Sequence, residues 1–330
     1  MPKALIARER LQQLLEAPAR SKTKIAIVGD AMLDIYLRGD VDRISPEAPV
    51  PVVRVREKKL ALGGAANVAQ NVAALGAVGE LVAAVGDDAS GAELRSMLTA
   101  MGAPTRGLVK TARPTTTKTR VVARGQQVVR VDEETDTDLA GAEVEALLAA
   151  VERAVADSQA LILEDYNKGV LVETVIARAI GAATKKGIPV IVDPKYKNFF
   201  AYRGATVFKP NRRELEAALG AAVDLEHPEA LPAVMARLGV ERLLLTLSER
   251  GMVLIDTDAA VRRIPATARE VYDVVGAGDT VTAYLAAMMA SGATAMEAAV
   301  IANYAAGVEV GKLGAATVSP AEILEAYDAS

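Results

Sequence analysis

The segment DVVGAGDTVTA, residues 273–283, sets a carboxylate directly after three small residues, with an apolar helical pattern running on from it. Gly276, Ala277 and Gly278 leave their backbone N–H groups open at a helix start, where free amides and the helix dipole together favour an anion. Asp279 falls in the first turn, where its charged form is favoured. This pairing suits phosphoryl transfer, in which the carboxylate takes the proton of an attacking hydroxyl and the amides stabilise the group in flight. The same Asp would also serve as a plain helix cap.

Further polar groups follow apolar runs along the chain. LGGAANVAQN, 62–71, is a second glycine pair feeding a helix; Gly63 and Gly64 would let backbone approach a ligand, and Asn67 offers donor and acceptor to sugar hydroxyls. GDAMLD, 29–34, supplies Asp30 and Asp34 just beyond the first strand, as acceptors for vicinal hydroxyls. In EDYNKG, 164–169, and DPK, 193–195, Lys168 and Lys195 are candidate partners for a substrate phosphate, with Asp165 and Asp193 orienting them. KPNRRE, 209–214, carries Lys209, Asn211 and Glu214, the last two also spaced as a capping box. TLSERG, 246–251, ends a strand with Thr246, Ser248 and Gly251, which could line a nucleotide pocket. Singly, each has an ordinary reading as turn, cap or loop. Together they recur after successive buried strands, where a parallel sheet gathers its ligands.

The elements that must position these groups alternate. Strand runs at 24–29, 80–86, 160–164, 189–193, 206–210 and 241–248 interleave with helical patterns at 65–76, 89–102, 140–156, 171–186, from Asn211, and at 229–238. Helices near 277–290, 294–307 and 320–328 finish the chain, after an antiparallel pair at GMVLID and AVRRIPA. The stretch before residue 24 reads as a leading helix. Near-continuous Val/Ile/Leu strands predict a mainly parallel sheet covered by helices on both faces. Two pieces differ in character. PVPVVRVRE, 49–57, and the polar hairpin within 115–134, where Lys118, Arg120, Arg124 and Arg130 interleave with Val, predict a small β-lid beside the main sheet.

Composition narrows the chemistry. The chain has 330 residues, 51% hydrophobic and 24% charged, with a formal net charge of -4, so no basic stripe invites nucleic acid. Absence of Cys excludes thiolate nucleophiles, disulfides and Fe–S clusters, and the single His, His227, excludes a Ser-His-Asp triad. The apolar C-terminal stretch is broken by Ser291-Gly292 and carries Glu297 and Asn303, which reads as two buried helices and no membrane span. No signal-peptide core precedes residue 24, and the expected location is the cytoplasm. No GxxxxGKS or GxxxxGKT loop is present, nor GxGxxG after the first strand, against P-loop and dinucleotide-binding folds.

GGAAN at 63–67 and DVVGAGD at 273–279, in this order and separation, resemble the two signatures of the ribokinase-like (PfkB) carbohydrate kinase family. The resemblance extends from about residue 22 over nearly the whole chain. It implies one kinase domain over 1–330, of three-layer α/β/α ribokinase-like fold, with lid ribbons near 49–57 and 117–131. Asp279 would be the base and Gly276, Ala277 and Gly278 the anion hole; Asp30, Asp34, Gly63, Gly64 and Asn67 would face the sugar. Asn211 and Glu214 match an NxxE element that organises Mg²⁺ and the ATP phosphates through water. Thr246, Ser248 and Gly251 would lie along the nucleotide, and Asn303 near adenine. ATP and Mg²⁺ are the implied cofactors, with a monovalent cation left open, and lids of this kind often pair into homodimers.

Within the family, RISPEAPVPV (43–52), LEDYNKG (163–169), DPK (193–195), FKPNRRE (208–214) and TLSERGM (246–252) are most similar to a branch acting on heptose 7-phosphate. Ser248 stands where many relatives carry Gly, and that branch shares a TLSE-type segment. The implied reaction phosphorylates the anomeric 1-hydroxyl, with Lys168, Lys195, Arg120 or Arg130 taking the 7-phosphate. Some branch members carry an added nucleotidyltransferase domain with paired His; with His227 alone, a stand-alone kinase is the expectation here. A PfkB kinase for ribose, fructose or tagatose phosphate or a nucleoside, an NAD-dependent dehydrogenase, and a non-catalytic binding protein are the rival readings.

Overall fold

The computed structural model describes residues 5–225, 227, 230–268 and 271–330. The chain runs α1 (Arg8–Ser21), β1 (Lys24–Gly29), β2 (Ala31–Ile44), β3 (Pro51–Gly64), α2 (Ala65–Ala74), β4 (Val78–Gly86), α3 (Ala89–Ala100) and β5 (Leu108–Thr111). It continues through β6 (Thr117–Ala123), β7 (Gln126–Glu133), α4 (Ala142–Asp157), β8 (Ala160–Glu164), α5 (Glu173–Lys186), β9 (Val190–Asp193), β10 (Val207–Phe208) and α6 (Arg212–Leu219). Then follow α7 (Leu231–Leu238), β11 (Leu243–Thr246), β12 (Met252–Ile255), β13 (Val261–Ile264), α8 (Ala277–Ala290), α9 (Ala295–Glu309) and α10 (Pro320–Asp328). Residue 229 of the expected 229–238 helix, and residues 1–4 of the expected leading helix, lie outside the described residues.

The main sheet has the order β13-β12-β11-β10-β9-β8-β1-β4-β5, parallel from β11 to β5, with β12 and β13 antiparallel at one edge. Its faces follow from the two-residue period of a strand. Ile25 and Ile27 of β1 enter one core, with α1, α2, α8, α9 and α10 over it. Ala26 and Val28 enter the other, with α4, α5 and α7. This is the three-layer α/β/α arrangement. No helix among the described residues is long and apolar enough to cross a membrane.

The second sheet has the order β3-β2-β6-β7. The ribbons at 49–57 and 117–131 belong to it, but they do not pair with each other. β2, unread in the sequence, runs between them, antiparallel to β3 and parallel to β6. Its charged residues, Asp34, Arg38, Asp40 and Asp42, hide a strand whose outer length is only half-buried. Asp34 is therefore a strand residue and not a loop acceptor. β1 runs into β2 across Asp30 alone, and β3 ends at the residue before α2, so the lid is rooted at the sheet edge where the polar groups gather.

Candidate active site

Strands β1, β8, β9, β10 and β11 are parallel and end on one edge of the sheet. After them come Asp30, the pair Asp165-Tyr166, Lys195, the segment Lys209–Asn211, and Ser248, while α8 brings its N-terminus to the same place. Gly276 caps that helix in the left-handed region, φ 96, and a Cβ there would lie 3.1 Å from the Asn67 amide and from Ala315. Only glycine holds this turn without strain.

Asp279 sits in the first turn of α8 and is 4% exposed. Asn67 Nδ2 donates to its Oδ2 and the Tyr166 hydroxyl to its Oδ1, each at 2.7 Å. Burial pushes its pKa up to about 6; the two donated hydrogen bonds and Lys209 pull it down, and Asp193 raises it further. A carboxyl so placed is ionised near neutral pH yet basic enough to accept a proton.

Beneath it lies a buried ionic cluster. Glu164, Asp193 and Asp279 offer carboxylate oxygens all within 4.8 Å of one another. Lys209, 3% exposed, donates to Asp193 Oδ2 at 2.8 Å. Both oxygens of Glu164 are buried without a hydrogen-bond partner. Burial and the neighbouring Asp193 and Asp279 push the Glu164 pKa well up, toward a neutral acid.

Two hollows meet at Asp279. The larger, about 550 Å³, is lined by Asn211, Glu214, Thr246, Ser248, Gly251, Gly276, Ala277, Gly278 and Asn303, and also by Lys195 and Lys209. Its size is within the range usual for small-molecule sites. The smaller, about 180 Å³, is lined by Asp34, Gly63, Gly64, Asn67, Lys118, Arg120 and Arg130. Tyr166, Gly276 and Asp279 line both. Gly63 is needed for close approach: a Cβ there would come within 2.6 Å of Asp34 Oδ2.

Several expected contacts fall elsewhere. Asp30 lines neither hollow; its carboxylate accepts from the backbone N–H groups of Tyr166, Lys168 and Val170 at 2.8, 3.0 and 3.2 Å, which folds the 166–170 loop around it. Burial pushes its pKa up to about 6 against those amides. Asp165 likewise accepts from the Asn167 N–H and the Tyr202 hydroxyl, both at 2.7 Å, and lines neither hollow. Lys168 also lines neither and pairs with Glu134 at 2.7 Å. Lys195 stands in the larger hollow, paired with Glu214 and 5.4 Å over the Tyr166 ring, away from the sugar-sized pocket expected for it.

Asn211 and Glu214 do form a capping box on α6, and both still line the larger hollow, so the two readings of that segment are compatible. Asn303 donates to the Pro265 carbonyl at 2.9 Å and accepts, through its own carbonyl, from Thr267 at 3.1 Å, pinning one wall. Tyr166, Glu164 and Lys118 were missed as site residues by sequence reasoning. Tyr166 lay inside EDYNKG, where the charged neighbours drew attention, and nothing local marks its hydroxyl as a partner of a residue 113 positions away.

Comparison with known proteins places this geometry. Residues 22–322 match the profile described as pfkB family carbohydrate kinase. The chain is 46% identical over 312 residues to bifunctional protein HldE of Gluconacetobacter diazotrophicus, covering 94% of this chain and 64% of that protein. It is 49% identical over 311 residues to bifunctional protein HldE of Pelobacter propionicus, covering 91% and 62%. The chain thus spans a little under two thirds of the length of these relatives. Among solved structures, a tetrameric inhibited form of phosphofructokinase-2 from Escherichia coli superposes with a TM-score of 0.77 at 20% identity, covering 93% of this chain and 98% of that one. Arabidopsis thaliana ribokinase complexed with ribose and ATP gives 0.73 at 21%, covering 93% and 99%. The fold is ribokinase-like.

Proposed function

The chain belongs to the pfkB family of carbohydrate kinases, and on that premise we propose that it transfers the γ-phosphoryl of ATP to the 1-hydroxyl of D-glycero-β-D-manno-heptose 7-phosphate. The observation that carries the transfer reading is Asp279, a buried carboxylate at the seam of two hollows and in the first turn of a helix. The larger hollow would take ATP and the smaller the sugar. The hydroxyl oxygen bonds to the γ-phosphorus as the bond to the β–γ bridging oxygen breaks. The proton passes to Asp279, and the electron pair leaves on ADP. Asn67 and Tyr166 would hold the carboxylate toward the sugar side, and the amides of Gly276 and Gly278 would stabilise the transferring group, whereas the Ala277 N–H, expected to join them, donates to the Val274 carbonyl at 3.4 Å.

Glu214 fits an outer role toward Mg²⁺. One of its oxygens already accepts from the Asn211 N–H at 2.8 Å and the other is paired with Lys195, so it would reach the ion through water, as suits an ion that keeps several waters. When bound, Mg²⁺ would neutralise charge on the β- and γ-phosphates. Lys195 and Lys209 in the same hollow would add to that.

The heptose phosphate reading rests on the five segments RISPEAPVPV, LEDYNKG, DPK, FKPNRRE and TLSERGM, with the HldE relatives in support. In this role Asp30 and Asp165 shape the loop under the sugar, while Asp34, Gly63, Gly64 and Asn67 touch it. The product would be a soluble cytoplasmic 1,7-bisphosphate, a precursor for lipopolysaccharide-core heptose. Exposed Val55, Val129 and Val131 on the lid support a homodimer formed by paired lids. ADP release with Mg-ATP and a panel of both heptose 7-phosphate anomers, ribose and fructose 6-phosphate tests the reading. Strong preference for the β-manno-heptose phosphate is expected; turnover only with another sugar overturns the heptose assignment.

A further inference from the structure

Two side chains donate to Asp279, Asn67 from α2 and Tyr166 from the loop after β8. Both elements are tied by backbone hydrogen bonds to one residue, Asp30. Its carbonyl accepts from the N–H of Ala65, the first residue of α2, at 3.0 Å, and its own N–H donates to the Glu164 carbonyl at the end of β8 at 3.1 Å. Its carboxylate then takes the N–H groups of Tyr166, Lys168 and Val170. Tyr166 thus bridges two buried carboxylates, through its backbone to Asp30 and through its hydroxyl to Asp279. Asp30 is 2% exposed and lines neither hollow, so a contact with sugar does not account for it.

Aiming three alternate amides at one carboxylate demands an unusual backbone. Asn167 and Gly169 are both left-handed, φ 55 and 80, a region that glycine enters freely and asparagine tolerates. The Lys168 carbonyl between them is taken by Arg113, whose Nη1 donates to it at 2.5 Å and to the Thr137 carbonyl at 3.2 Å. Arg113 Nη2 is buried without a hydrogen-bond partner. Burial lowers the Arg113 pKa, while Asp30, Glu143 and Asp138 act to raise it. An unpaired buried N–H and a left-handed asparagine are both unfavourable, and such features persist mostly where function needs them.

We propose that Asp30 and Arg113 are positioning residues for phosphoryl transfer: gripping the 166–170 loop by its amides and by a carbonyl, they keep the Tyr166 hydroxyl on Asp279. The inference rests on Asp279 as the base of a sugar kinase and deepens that reading. Arg113, like Asp30, lines neither hollow, so both act through the loop and not on a ligand. Loosening the loop withdraws one hydrogen bond from the ionised carboxyl. Asn67, Glu164, Asp193 and Lys209 still face it. The sign of the consequence is diagnostic. Losing a hydrogen bond to the charged form raises the pKa of a carboxyl, whereas deleting the Asp30 charge, acting through space, would lower it.

The pH dependence of kcat/KM for Asp30→Asn, with and without Tyr166→Phe, separates these. Asp30→Asn alone should move the rise to higher pH by about half to one pH unit. In the Tyr166→Phe background it should move the rise no further, because the two changes remove the same contact. A move to lower pH, no move, or an equal move in both backgrounds overturns the proposal. Arg113→Lys keeps the charge and loses the fork; it should give a smaller move in the same direction, again cancelled by Tyr166→Phe. It carries the test if Asp30→Asn does not fold. Any sugar that is turned over serves, so a failed heptose assignment leaves the test intact. A second readout needs no turnover: ¹⁹F NMR of the unliganded protein carrying 3-fluorotyrosine at position 166. Asp30→Asn and Arg113→Lys should each shift and broaden its resonance. Movement supports the proposed hold on the loop even if no sugar is phosphorylated; an unchanged resonance overturns it even if the kinase reading stands.

Discussion

Asn67 donates its side-chain N–H to Asp279 Oδ2 at 2.7 Å, across 212 positions of sequence. One residue comes from the helix after the first glycine pair and the other from the helix after the second, so both glycine-rich segments converge on one carboxylate. Asn67 is in turn fixed by Asn71, which donates from Nδ2 to its backbone carbonyl at 3.0 Å, and Thr280 donates to Asn71 Oδ1 at 3.2 Å. The base is thus held by a buried polar network with both helices as walls, which limits the reorganisation needed at the moment of transfer.

Replacing Asp279 with Asn should lower kcat by roughly 10²–10⁴ while nucleotide binding persists, as expected for loss of a general base. It should also change how stability depends on pH. The Asp279 pKa is about 6 in the folded protein and about 3.9 in an unfolded chain, so the folded state holds the proton more tightly. Ionising the buried group therefore costs stability progressively as pH rises from about 4 to about 6, and fully above that. Between pH 4 and 7.5 the stability difference should shift toward Asp279→Asn by about 2 kcal/mol. Urea denaturation across that range measures it, and a difference that does not change with pH would contradict it.

Tyr166→Phe removes one of the two donors to Asp279 while keeping the ring beneath Lys195. Loss of a hydrogen bond to the ionised form raises the pKa of a carboxyl. The rise of kcat/KM with pH, centred near 6 in the wild type, should move to higher pH, with a fall in the plateau of roughly tenfold. An unshifted pH profile with a reduced plateau would show that Tyr166 does not tune the base.

Lys209→Met should be strongly destabilising. Lys209 and Asp193 are both under a tenth exposed and bonded at 2.8 Å, with Glu164 and Asp279 close by. Removing the cation leaves buried carboxylates facing each other, which typically costs about 3–5 kcal/mol. Denaturant unfolding at pH 7 checks this, and the loss should shrink as acid protonates the cluster.

The lid account predicts a concentration-dependent dimer. Val129 and Val131, 48% and 55% exposed on β7, an edge strand, are the residues to test. Sedimentation of Val129→Glu/Val131→Glu should give a monomer where the wild type gives a dimer. The same mass for both proteins would remove this face from the interface.

Much of this molecule was legible in its sequence because apolar runs dominate the main sheet. β1, β8 and the antiparallel pair β12–β13 stand where Val, Ile and Leu cluster, and the two glycine-rich segments sit at helix starts with their functional residues in the first turns. β2 escaped because a lid strand is wetted on much of its length and carries charge where a core strand carries valine. β5 escaped because four residues at a sheet edge leave little pattern. At the site, position along a strand end was readable but direction was not. Asp30 and Asp34 are equally polar and four residues apart; one turns inward to hold a loop and the other faces the hollow. Lys168 and Lys195 both follow strands, yet one reaches the lid edge and the other the larger hollow. Such choices are made by backbone direction and tertiary partners, which no local spacing records.

The most direct test of the central claim is ³¹P NMR of the product formed from ATP and D-glycero-β-D-manno-heptose 7-phosphate by the wild type and by Asp279→Asn. The account predicts ADP and a sugar with two phosphorus signals, one coupled to the anomeric proton at C1, from the wild type and almost none from the variant. Transfer to any other hydroxyl, or equal product from both proteins, would contradict it.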